Sequence, residues 1–145
     1  MGLLSKLTGA VTPQKKATDD VLLLHTMMLM CGADGGFDDS EVETLEAYFA
    51  TLPEFEGKDF GEVLGQAKKM VSKYPSLTES VKALADLSSP NLKKKAYVVA
   101  ADIAMSSGDV DESEDKMLDA MQRVMNIDDA TATKVLEVLG MKYAR

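Results

Sequence analysis

VLLLHTMMLMCGADGGFDDSE, residues 21–41, decides the fold. From Val21 to Cys31 only His25 and Thr26 interrupt an apolar run. The run is too short for the roughly 20 apolar residues that span a bilayer, and it is apolar on every side, as a helix buried at the centre of a soluble domain is. It then breaks into an acidic loop, with Asp34, Asp38, Asp39 and Glu41 around Gly35 and Gly36, and a polar helix start follows. Sliding the chain by 73 residues finds the pattern again: Gly35, Asp38, Ser40, Glu41, Leu45 and Ala47 fall on Gly108, Asp111, Ser113, Glu114, Leu118 and Ala120. Each loop follows an apolar segment, so the repeated unit reads as helix, acidic glycine loop, helix, over about residues 20–52 and 93–126.

Between the copies, Val63, Leu64, Ala67, Met70, Val71 and Tyr74 recur at three- and four-residue spacing, which predicts an amphipathic helix. LTESVKALADLSS predicts another. Pro75 ends the first, and Ser89 followed by Pro90 gives an N-cap and first-turn proline for a long helix from Pro90 to Met105. The last helix starts near Asp128 or Asp129, and Gly140 is the expected stop. No segment alternates like a strand. The expectation is an all-α fold of about seven helices in one domain, residues 1–145, with a short leader at 1–17.

A formal charge of −8 and a pI near 4.6 argue against nucleic-acid binding, which needs a basic surface. Protein partners docking on an acidic surface are expected instead. Cys31 is the single cysteine, so no intramolecular disulfide forms and a reducing, cytoplasmic setting is expected. The leader MGLLSKLTGAVTPQKK lacks a secretory core and cleavage site, and Lys6 stands where a myristoylation motif wants Ser or Thr. Its leucines and lysines suit at most peripheral membrane contact through residues 1–16. His25 and Cys31 lie six positions apart on one buried helix, which is no nucleophile and base arrangement, and the chain is not expected to be an enzyme.

Two readings of the acidic loops stand side by side. Met30–Glu41 and Ile103–Glu114 match the second half of a twelve-residue calcium loop, with glycine at place six and glutamate at place twelve, whereas the side-chain ligands of the first half are absent. A hard cation there must complete its oxygens from carbonyls, water or the other loop. Alternatively, Asp38 to Glu41 and Asp111 to Glu114 are capping boxes. The same spacing recurs at Asp59–Glu62 and Ser76–Glu79, where no metal is in question. Capping leaves Asp34, Asp39, Asp109 and Glu112 without a task. Gly35 and Gly108 fit left-handed positions that end the preceding helices. Asp102, a carboxylate on an apolar helix, needs a partner: a neighbouring helix end, His25 or the loops.

An apolar helix ending in ADGG, then FDDSE and a second helix, with a diverged copy further on, resembles the tellurite-resistance TerB family and its TerB-like relatives. The opening GLLSKLTGAVT is similar to their short leader. The resemblance implies an all-helical, non-enzymatic protein associated with stress response and metal or metalloid resistance, whose acidic loops have been suggested as a cation site. Carried over by position, the family's Asp-Gly and downstream Glu fall on Asp34, Gly35 and Glu41; in the second copy Ser107 stands where Asp is expected, while Gly108 and Glu114 keep the pattern. The metal candidates are therefore Asp34, Asp38, Asp39, Glu41, Asp109, Asp111, Glu112 and Glu114, for a divalent cation such as calcium or magnesium held weakly, with Asp102 as an inner carboxylate. The alternative is a metal-free interaction or structural module, of a kind also found in phage genomes.

Overall fold

The computed structural model describes residues 17–32, 39–106 and 108–145. Among these, seven α-helices follow one another: α1 (Asp19–Cys31), α2 (Asp39–Phe49), α3 (Phe60–Ser72), α4 (Leu77–Lys82), α5 (Pro90–Met105), α6 (Glu112–Val124) and α7 (Asp129–Lys142). Short 3₁₀ turns at Pro53–Phe55 and Ala83–Asp86 join them. No strand occurs among the described residues. The all-α expectation holds, and none of these helices is long and apolar enough to cross a membrane. The leader up to residue 16, Gly35, Ser107 and the Asp38 half of the first capping box lie outside the described residues.

The helix starts follow local chemistry. Asp59, Ser76, Ser89, Asp111 and Asp128 each accept a hydrogen bond from the amide three residues on, at 3.0, 3.3, 3.1, 2.7 and 2.7 Å. Each satisfies one of the amides that the first helical turn leaves without a partner. α5 begins at Pro90, whose missing N–H costs nothing in a first turn. Gly140 does not stop α7, contrary to expectation. The helix runs on to Lys142, since a glycine in a helix costs only about 1 kcal/mol and the residues beyond it have contacts to reach.

α1 and α5 form the centre, packed on each other, with α3 against α1 and α7 against α5. Leu22, Leu23, Leu24, Met27 and Met30 of α1, and Ala96, Tyr97, Ala100 and Ala104 of α5, are buried. The alanines of α5 allow close approach of the two backbones. Phe49, Phe55 and Phe60 close one side, Phe49 stacking on Phe55 at 4.3 Å and meeting Phe60 edge-on at 5.2 Å. The start of α1 is tied down twice. Asp19 accepts from the Ser88 amide at 2.9 Å, and buried Asp20 accepts from Lys58 at 2.7 Å.

His25 is fully buried. Nε2 lies 2.8 Å from the Ser80 carbonyl oxygen. A carbonyl only accepts, so Nε2 carries the proton and donates. Nδ1 is buried with no hydrogen-bond partner among the described residues. Burial holds this histidine below its ordinary pKa and outweighs the bond to Ser80.

Candidate functional site

Both acidic loops end in a helix start, and α1 packs against both α2 and α6. Glu41 occupies the first turn of α2 and Glu114 the first turn of α6. The charges of both bear on Cys31, the last residue of α1. Burial first, and then the negative charges of Glu41 and Glu114, push the Cys31 thiol up to about 12. Two carboxylates more than seventy positions apart in sequence thus act on the same sulfur. Glu41 is half-buried, with Oε2 closed off from solvent.

The remaining candidates separate into several roles. Asp111 and Glu114 form a complete capping box: the Glu114 amide donates to Asp111 Oδ1 at 2.7 Å, and the Asp111 amide donates to Glu114 Oε1 at 3.2 Å. The Glu114 amide is the main reason that the Asp111 carboxyl sits below its ordinary range. Glu112 points to Lys116 at 3.0 Å, out in solvent. Asp39 and Asp109 are exposed, and Asp109 has an interaction of its own. Asp34 and Asp38 lie outside the described residues. Among the described residues, no three His, Cys, Asp or Glu side chains converge as a metal-ligating group.

Gly108 has φ +93°, a backbone conformation that glycine adopts freely. The guanidinium of Arg145 lies against it, where a Cβ would collide with it. Arg145 therefore brings a positive charge to the second loop. Nothing in the loop's own sequence signals this.

Asp102 neither bonds His25 nor caps the backbone amides of a helix start. Oδ1 accepts from the hydroxyls of Tyr48, at 2.9 Å, and Tyr143, while Oδ2 accepts from Lys142 at 2.9 Å. Burial works against this carboxylate, but the bonds from Tyr143, Lys142 and Tyr48 outweigh it and hold Asp102 below its ordinary range. The cluster joins α5, α2 and the end of α7. Its role is to hold helices together, with every acceptor oxygen engaged by a donor of the same chain.

Neither the curated proteins nor the solved structures compared with the chain contain a significant match. The family model described as tellurite resistance protein TerB matches residues 21–136, a span that takes in both loops, both central helices and the Asp102 carboxylate. The chain belongs to the TerB family.

Proposed function

We propose that this TerB protein is a non-enzymatic cytoplasmic factor of tellurite and stress resistance that holds a divalent cation weakly where its two acidic loops meet, and docks protein partners through the acidic surface around it. What supports this reading is that Glu41 and Glu114, each in the first turn of a helix packed on α1, both act by their charge on Cys31 at its end. Calcium takes six to eight oxygens, magnesium six. Two carboxylates supply at most four, so the set is completed by Asp34 and Asp38, which precede Glu41 in the same loop, and by carbonyls and water. The position of Arg145 at Gly108 makes the second loop the poorer half, consistent with Ser107 standing where the family has Asp.

A metal-free adaptor is the second reading, favoured by the local tasks already assigned: Asp111 and Glu114 cap α6, and Glu112 pairs with Lys116. Thermal melts at matched ionic strength separate the two. A ligand at a hundredfold over its dissociation constant stabilises by about 2.7 kcal/mol, so millimolar calcium or magnesium is expected to raise Tm by several degrees. Asp34→Asn is expected to abolish the rise, and Asp59→Asn, which touches only a cap, to leave it. No rise in the unaltered protein means the adaptor reading is correct.

A further inference from the structure

On the side of the molecule where α4 meets α6 lies an apolar groove of about 380 Å³, floored by Val81, Met117, Ala120 and Val124 and walled by Leu77. Leu77 is 55% exposed. Its other side borders a second apolar hollow of about 260 Å³, with Met28, Leu29 and Val71. The rim of this double furrow is basic, although the protein as a whole carries −8. Lys82, Lys116 and Arg123 edge the larger part and Lys68 the smaller. Among the described residues, Lys82 and Lys116 pair with exposed partners on their own helices, Glu79 at 3.5 Å and Glu112 at 3.0 Å, pairs worth little in water. Arg123 has no ion pair among the described residues. On α6, Lys116 and Arg123 line the furrow, with Glu112 beside Lys116 as the acid on that side, whereas Asp115 and Asp119 do not line it.

We infer that the furrow is a docking site for an acidic amphipathic helix of a partner protein, which straddles Leu77, seats an apolar side chain in each hollow and sets its carboxylates against the four cations. Helix-in-groove recognition uses this combination of i, i+3, i+4 and i+7 apolar anchors with flanking charge. The charge pattern selects this occupant over others. The exposed apolar residues of α7, Val138 and Met141, have one acid beside them, Glu137, between Lys134 and Lys142, so a second copy brings no acidic flank to match four cations. Residues 1–16 contain three lysines and no acid, which sets the leader against the rim as well. An anionic membrane is repelled by the net charge, and its plane does not fill a concave furrow. The furrow borders the proposed cation site, at Gly32 beside Cys31 and at Ser113 beside Glu114, but docking requires no bound cation.

The test is a titration of the ¹⁵N-labelled protein, in chelator and at low ionic strength, with a synthetic helix carrying Leu at i, i+3, i+4 and i+7 and Glu on both flanks. Saturable shifts confined to α4, α6, the second half of α3 and the end of α1 are expected. Affinity is expected to fall about tenfold or more with Leu77→Asp, with the pair Lys116→Glu and Arg123→Glu, and with a peptide whose Glu are all Lys. These side chains are exposed, and circular dichroism melts verify that the variants fold. Absent or unlocalised shifts, equal binding of the Lys peptide, or undiminished binding by the variants overturns the proposal. It is equally overturned if the same substitutions abolish only self-association or only phosphatidylglycerol vesicle binding.

Discussion

Replacing Asp102 by alanine is expected to lower the unfolding free energy by about 2–3 kcal/mol, because hydrogen bonds to a charged group are worth about 1.5–3 kcal/mol and their donors are left behind without an acceptor. Most of the loss comes from the Tyr48 and Tyr143 hydroxyls, since Lys142 is half exposed and its ion pair is screened. Asp102→Asn keeps an oxygen for the two hydroxyls and is expected to cost about half as much. The pH dependence has a definite sign. A carboxyl held below 3.8 contributes stability that is complete above that pH and is lost as pH falls through the folded value. The gap between the unaltered protein and Asp102→Ala therefore narrows below pH 3.8. Chemical denaturation read by tyrosine fluorescence measures it; a loss under 0.5 kcal/mol at pH 7 contradicts the assignment.

His25 sets the second large effect, at milder pH. Its folded pKa lies below 6.5, so folding favours the neutral ring. The stability tied to it is complete above pH 6.5 and falls as pH drops through 6.5 toward the folded value, by up to about 1.4 kcal/mol per pH unit. The physical cause is that the added proton goes to Nδ1, which is buried without an acceptor among the described residues. His25→Leu is expected to be less stable than the unaltered protein by about 1–2 kcal/mol at pH 7.5, through the lost bond to Ser80. The difference is expected to shrink as the pH is lowered to 5. A gap that widens on acidification contradicts the account.

Much of the fold was legible because its signals are local. A cap and the amide that it accepts from are three residues apart, so Asp59, Ser76, Ser89, Asp111 and Asp128 declare their helices in any window that contains them. The run 21–31 declares a buried helix by being apolar on every side. Tertiary partners leave no such trace. Asp102 was marked as needing a partner, but its donors sit 54, 40 and 41 positions away at Tyr48, Lys142 and Tyr143. For the same reason Gly140, a reasonable stop on local grounds, is passed over by a helix whose end is held by that carboxylate. At the candidate site, spacing proposed eight acids, with Asp34, Asp38 and Glu41 foremost and Asp109, Asp111 and Glu114 second; in space, Glu41 and Glu114 both act by their charge on Cys31, while Asp111 and Glu114 are engaged in a capping box and Glu112 pairs with Lys116. The furrow along α4 and α6 was invisible in the sequence because its basic rim comes from three helices, within a chain whose overall charge has the opposite sign.

The central claim is that both acidic helix starts bear by their charge on the end of α1, and Cys31, as the single cysteine, reports on it directly. The measurement is the rate of alkylation of Cys31 by iodoacetamide at fixed pH in chelator, for the unaltered protein, Glu41→Gln, Glu114→Gln and the double variant. If both carboxylates oppose the thiolate, each substitution speeds alkylation about two- to tenfold, the double variant is fastest, and calcium accelerates the unaltered protein but not the double variant. A rate indifferent to Glu41 or to Glu114 means that its charge does not reach the end of α1.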